Sequence, residues 1–317
     1  MLMWVVSGGL GCLGPAPVDS PVTITDTSPL PTPPSFEHDL KAALQRWRGV
    51  SVVYHDTLGE GAGAWDGDPR EPGPDTSLNC ITWLQVVLAD AFTHSPQDMA
   101  YLLHNFRYFG DWPSFATRKH YNEHWIYGDS APLTSLEEVE CQPDDLRQIH
   151  LDLPRFTHVT HTPCTLSDRA ESDFTLGVLQ FPSLLSCLKN VEPGPYVLFP
   201  VPSKRWLRDY GQKVGDMGVV HGLLLWVSPG SAAQDEDPLE SRYQITHASI
   251  SLRRVENLSL GAYLDYSQYI IDGFVIYKID YDFWWQRNNT PTPDDRDRWE
   301  CEQHAVQRGL TRKGNHF

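Results

Sequence analysis

A cysteine at the head of one apolar-periodic segment, followed far downstream by a histidine on each of two apolar strands, constrains this chain more than any other feature. Cys80 opens the run CITWLQVVLADA, in which Cys80, Trp83, Leu84, Val87, Leu88 and Ala91 recur at helical spacing. The segment reads as an amphipathic helix packed on a core. Loop residues Gly73-Pro74-Asp75-Thr76-Ser77 precede it, and Ser77 or Asn79 can cap it. Cys80 then falls in the first turn, where unpaired N–H groups and the positive end of the helix dipole stabilise a thiolate. A neighbouring imidazolium would complete a nucleophilic ion pair. Taken alone, a cysteine in such a helix is more simply a buried structural residue.

The histidines change that balance. Val219-Val220-His221-Gly222-Leu223-Leu224-Leu225-Trp226-Val227 is a near-continuous apolar run and reads as a buried strand. After a polar loop, Tyr243 to Ile250 (YQITHASI) reads as its hairpin partner and carries His247. Adjacent antiparallel strands can bring a histidine from each within hydrogen-bond reach. One imidazole would take the thiol proton and the second would fix its orientation. Either histidine by itself is an ordinary core residue; the ordered trio points to catalysis.

On these residues the chain resembles the NlpC-type papain-like cell-wall peptidases, and within them the N-acetylmuramoyl-L-alanine amidase-like branch. Cys80-Ile81-Thr82-Trp83 is similar to that branch's Cys-Thr-Phe-like helix start. Arg118-Lys119-His120-Tyr121 with Trp125-Ile126 is similar to its Arg-x-His-Tyr…Trp-Ile segment. His221-Gly222-Leu223 stands at the His-Val-Gly-like strand, His247-Ala248-Ser249 matches His-Ala-Ser, and Leu260 to Tyr277 is similar to the domain's close. Only these islands, between about residues 36 and 280, carry the likeness. The resemblance implies an α+β papain-like fold, with an amino-terminal helical half that presents the nucleophile on a helix start and a carboxy-terminal antiparallel sheet. It implies Cys80 as nucleophile, His221 as base and His247 as orienter, with no cofactor. Arg118, His120, Tyr121 and Asn79 become candidate substrate-binding residues, arginine being suited to a carboxylate or carbonyl. Three positions depart from the branch: Asn79 for its usual Asp, Gln85 for an expected Glu, and a glycine one place early after His221.

The implied substrate is peptidoglycan or a muropeptide, cut at the amide joining the muramic acid lactyl group to L-alanine. A stem-peptide endopeptidase is the alternative within the superfamily. An inactive wall-binding relative is the alternative outside enzymology, motivated by Asn79 and Gln85. A fourth reading comes from His120-Tyr121-Asn122-Glu123-His124, a literal H-x-x-E-H zinc signature with Glu137 or Glu138 as a third ligand. Short patterns match often without their context, and the flanking residues fit the amidase-like segment instead. His158-x-x-His161 is a weaker pattern of the same kind.

A formal charge of −16 argues against nucleic-acid binding, which depends on phosphate neutralisation. Residues 1–14, MLMWVVSGGLGCLG, read as a lipoprotein or export signal that lacks a positively charged start, with Cys12 as the lipidation residue. Residues 15–35 are rich in Pro, Ser and Thr and read as a tether. Residues 36–280 form the expected amidase-like domain, with an insertion at about 132–195, and 281–317 form a polar appendage. A monomer is expected in the periplasm or anchored to the outer membrane of a Gram-negative bacterium. An oxidising compartment there permits disulfides among Cys141, Cys164, Cys187 and Cys301, with connectivity open and free thiols an equal alternative.

Overall fold

The longest apolar runs of the carboxy-terminal half lie side by side at the centre of a six-stranded antiparallel sheet. Its order is β3 (Leu133–Ser135), β10 (Ile271–Ile279), β6 (Gly194–Pro202), β7 (Leu223–Val227), β8 (Tyr243–Ser249) and β9 (Arg254–Ser259). The structure is a computed structural model that describes residues 33–53, 77–93, 96–108, 122–126, 131–136, 141–152, 171–210, 218–229 and 238–281. Central strands β6, β7 and β10 are buried along nearly their whole length, because both faces of the sheet are covered.

The two-residue period of the strands divides the apolar side chains between two cores. Val197, Phe199, Val201, Leu224, Val275 and Tyr277 point to one face, against the helices of the amino-terminal half. Tyr196, Leu198, Leu223, Leu225, Phe274 and Ile276 point to the other, under α5 (Phe181–Asn190) and α8 (Leu260–Ser267). The architecture is thus α+β, with helices on both sides of an antiparallel sheet.

On the first face, α2 (Cys80–Phe92) lies between the sheet and two outer helices, α1 (Pro33–Trp47) and α3 (Pro96–Arg107). The spacing predicts an amphipathic α2, yet the helix is buried on almost every side; only Ile81, Asp90 and Phe92 are partly exposed. The reason is α1, which covers the side the sequence leaves for solvent. Trp47 Nε1 and Arg46 Nε donate to Asp90 Oδ2 at 2.7 and 2.8 Å, and Trp83 Nε1 donates to the Trp47 carbonyl at 3.3 Å. Parallel strands β1 (Ser51–Val52) and β2 (Ser77–Leu78) then deliver the chain to the start of α2.

The stretch expected as an insertion is partly integral to the sheet, since it contains the edge strand β3. It also holds a separate ribbon of β4 (Asp145–Asp152) and β5 (Glu171–Val178), together with α5. Ile149, Leu151, Leu176 and Val178 of the ribbon join the helical-side core. Arg147 anchors the ribbon by donating to the Pro202 carbonyl at 2.7 Å and to Asp272 Oδ2 at 2.9 Å. Cys141 and Cys187 form a disulfide, Cα to Cα 5.4 Å, which ties the chain before β4 to α5. Of the other cysteines considered for pairing, Cys164 and Cys301 lie outside the described residues, as do the signal, Cys12, residues 15–32 of the expected tether and residues 282–317; the last three tether residues, 33–35, open α1 instead. Among the described residues no helix is long and apolar enough to cross a membrane.

Short helices α4 (Asn122–Ile126), α6 (Lys204–Tyr210) and α7 (Pro238–Ser241) complete the described elements.

Candidate active site

Asn79, rather than Ser77, caps α2. Its backbone is extended (φ −87°, ψ 178°), and its Oδ1 accepts from the amides of Ile81 and Thr82, both at 2.9 Å. Thr82 Oγ1 accepts from the Asn79 amide at 2.9 Å, closing a reciprocal capping box. Cys80 is therefore the first residue of the helix, next to the capped amides and the positive end of the dipole. It is buried, and among the described residues it is the cysteine that stands outside a disulfide.

His221 reaches this helix start because of the residue beside it. A Cβ on Gly222 would lie 2.8 Å from Leu84 Cδ2 and 3.1 Å from Ile81 Cδ1. Only a residue without a side chain lets the 221–222 backbone press this closely on the first turns of α2. The histidine itself stands just before β7, not within it as the apolar run predicts. Its Nε2 hydrogen-bonds His247 Nδ1 at 2.9 Å, and the two rings meet edge to face at 5.1 Å. On its other side, the His247 ring meets Tyr263 of α8 edge to face at 5.5 Å.

Electrostatics tie these groups together. Burial, and then the neighbouring His247, push His221 from the usual imidazole value down to about 3. Burial also lowers His247, opposed by its cross-strand partner Glu256. The imidazolium invoked from sequence is thus disfavoured in the resting site, where two desolvated rings share one hydrogen bond. Tyr263 is held above its ordinary value by burial first, then by the charge of Cys80 and by Tyr266. Its phenol stays protonated and is close enough to Cys80 to feel that charge.

Cys80, His221 and His247 are thus gathered about one region, with Tyr263 beside them. Asn79 is there too, with its carboxamide oxygen committed to the helix cap. Arg118, His120 and Tyr121 lie outside the described residues, so their predicted substrate contacts do too. Within the H-x-x-E-H pattern, Glu123 is fully buried and its Oε1 accepts from the Gly218 and Val219 amides at 2.6 and 2.8 Å. Burial raises this carboxyl to about 7, while its backbone hydrogen bonds, its own amide's and those of Val219 and Gly218, pull the other way. His124 packs edge-on to Phe174 at 6.1 Å. The remaining zinc ligands of that reading, His120 with Glu137 or Glu138, and the His158-x-x-His161 pair all fall outside the described residues. Among the described residues no three His, Cys, Asp or Glu side chains converge on a metal position.

Two site residues escape sequence reasoning. Tyr263 has no local motif; only the fold turns that face of α8 toward His247. Glu123 sits in a metal-like pattern, and its bonds to amides nearly a hundred residues later are invisible in the chain.

Neither a family model nor a curated protein sequence matches the chain. Its likeness is to solved structures. A Legionella pneumophila protein of the DUF1460 family superposes with a TM-score of 0.58 at 17% identity, over 77% of this chain and 89% of the other. An N-acetylmuramoyl-L-alanine amidase of Bacteroides uniformis superposes with a TM-score of 0.54 at 17% identity, over 77% of this chain and 98% of the other. A second structure of an amidase so described, from the same organism, gives 0.53 at 15% identity over the same shares. At such identities the likeness is one of fold.

Proposed function

We propose that this chain is a papain-like cysteine amidase that cuts an amide bond in bacterial peptidoglycan, at the junction of the muramic acid lactyl group and L-alanine. The observation that carries the proposal is the His221–His247 hydrogen bond, held by Gly222 against the helix that Cys80 opens. The fold shared with a DUF1460-family protein and with N-acetylmuramoyl-L-alanine amidases supports it, as do the sequence islands around Cys80, His221 and His247.

In the productive tautomer, His221 donates its Nε2–H to His247 Nδ1 and keeps an acceptor at Nδ1 for the thiol proton. Cys80 Sγ attacks the lactyl carbonyl as that proton moves to His221. His221 then passes it to the departing alanine nitrogen, leaving a thioester and a free peptide amine. Water, deprotonated by the same imidazole, hydrolyses the thioester and restores the thiol. His247 accepts throughout and fixes the ring plane. No step requires a cofactor.

We further propose an envelope location, with the enzyme on the periplasmic side and anchored through Cys12. The Cys141–Cys187 disulfide supports an oxidising compartment.

The decisive experiment digests a muramyl-L-Ala-γ-D-Glu-diaminopimelate fragment and weighs the products. The proposal expects the intact peptide with a new amino-terminal alanine, and none from Cys80→Ala. Muramyl dipeptide with free diaminopimelate would reassign the enzyme to the endopeptidases while keeping the nucleophile. No product from any wall fragment, with Cys80 inert to alkylation, would leave a wall-binding protein.

A further inference from the structure

The segment that carries His221 is gripped from behind. Two residues upstream of Val220 and three upstream of His221, the Gly218 amide donates to Glu123 Oε1 at 2.6 Å, and the Val219 amide donates to the same oxygen at 2.8 Å. Asn122 Nδ2 donates to the Val219 carbonyl at 3.2 Å. The grip leaves no slack: a Cβ on Gly218 would lie 2.6 Å from that Oε1, 3.0 Å from Ile149 Cγ1 of the ribbon, and in collision with Leu176. On the far side of His221, Gly222 is pressed on Ile81 and Leu84. The base is thereby pinned on both flanks, by α4 before it and by α2 after it.

We infer that Glu123, assisted by Asn122, is a positioning residue that sets the reach of His221 by holding the 218–219 backbone through its Oε1. This rests on the reading of His221 as the base. Geometry makes the role one of acceptance and not of charge. Both amides converge on one oxygen, and Oε2 is buried with no hydrogen-bond partner among the described residues. An uncharged acceptor in the place of Oε1 serves equally. A zinc-type general base, the role the H-x-x-E-H pattern would assign, needs the carboxylate itself. The two roles therefore part at a single isosteric substitution. Displacing a catalytic group by about 1 Å costs roughly a hundredfold in rate.

The test compares Glu123→Gln, Glu123→Ala and Asn122→Ala with wild type and His221→Ala. It reads kcat and KM on a muropeptide, and the rate of Cys80 alkylation by iodoacetamide at neutral pH. Glu123→Gln is expected within about threefold of wild type in kcat and in alkylation rate, because its Oε1 still accepts both amides. Glu123→Ala is expected to lower kcat by roughly ten- to a hundredfold with KM little changed, and to slow alkylation in parallel. If Glu123→Ala does not fold, Asn122→Ala carries the test, with a several-fold loss of kcat expected on the lost carbonyl bond. Equal damage from Gln and Ala would overturn the inference in favour of a role for the charge. So would a folded Glu123→Ala, or in its place Asn122→Ala, with kcat and alkylation unchanged. An alkylation rate indifferent to His221→Ala strikes instead at the base assignment. A slow His221→Ala beside a normal Glu123→Ala strikes only at the grip.

Discussion

Gly222 and Leu84 meet so closely that a single added methyl group would stand 2.8 Å from Leu84 Cδ2. Leu84 lies one turn into the helix that begins at Cys80, and Gly222 follows His221 directly. This contact holds the His221 segment against the helix that Cys80 opens. Gly222→Ala is expected to push the 221–222 segment away from α2. Overpacking of this kind costs about 1–3 kcal/mol in stability, so the variant should fold. Its kcat should fall by at least tenfold while KM holds, since only the reacting geometry changes. A thermal melt and steady-state kinetics check both halves.

In the proposed mechanism neutral imidazole is the competent form of the base, and burial holds His221 below its ordinary value, down to about 3. The acid limb of kcat/KM should therefore lie well below the usual imidazole pKa of about 6.5. In the proposed mechanism the thiol proton passes to the neutral imidazole as sulfur attacks, so that proton is in flight during acylation. Acylation should then be slower in D2O, whereas a preformed ion pair would give no normal isotope effect. Pre-steady-state acylation in the two solvents checks this.

The same burial has a consequence for stability. An unfolded chain protonates His221 near pH 6.5, and the folded chain only near pH 3. Between those values the unfolded state binds more protons, so this residue's contribution to stability falls as pH drops. Glu123 works in the opposite sense, since its carboxyl is raised to about 7 and protonates first in the fold. The His221 share is accordingly read as a difference. His221→Asn should lose less stability than wild type between pH 7 and pH 4.5 in urea melts.

Asn79 stands where the amidase-like branch usually has Asp, and the capping box accounts for the exchange. Asn and Asp cap equally well, and loss of such a cap costs about 1 kcal/mol. Asn79→Asp should keep wild-type stability, whereas Asn79→Ala should be destabilised by about that amount. The added carboxylate should also disfavour a thiolate at Cys80, shifting its alkylation profile to higher pH. Denaturation curves and iodoacetamide kinetics over pH distinguish the two effects.

Reduction should act on stability and spare the chemistry. The Cys141–Cys187 bond closes a loop with a sequence separation of 46. Loop-closure entropy for a loop of that size is worth roughly 4 kcal/mol. The double variant Cys141→Ser with Cys187→Ser should melt markedly lower. At a temperature where it remains folded, it should keep its kcat, because the bond ties the chain before β4 to α5 and no step of the proposed chemistry uses it.

Local pattern carried much of this molecule. The helical spacing of Cys80 to Ala91 and the apolar runs that follow His221 and surround His247 correspond to elements that the structure contains. These are short-range signals, and they survive folding because each element keeps its own period. Long-range partnership was not legible. Asp90 carries no local sign of a partner, yet Trp47 and Arg46 of α1 bond to it. Glu123 reads as a metal-site carboxylate until the 218–219 amides close on it. Leu133 to Ser135 is too short to announce a strand, and it becomes one only by pairing with Tyr277 to Ile279. In each case the deciding neighbour lies tens of residues away, where no period or motif reaches.

Helix α2, packed between two other helices and the sheet, would give the proposed chemistry a fixed thiol and an adjustable base. Moving Cys80 would mean repacking Trp83, Leu84 and Val87 together, all fully buried. The His221 segment, by contrast, is held by a few hydrogen bonds and two glycine contacts, each removable singly. Retuning the proposed chemistry by substitution is therefore an exercise in backbone carpentry between Gly218 and Gly222, with the thiol as the datum from which every cut is measured.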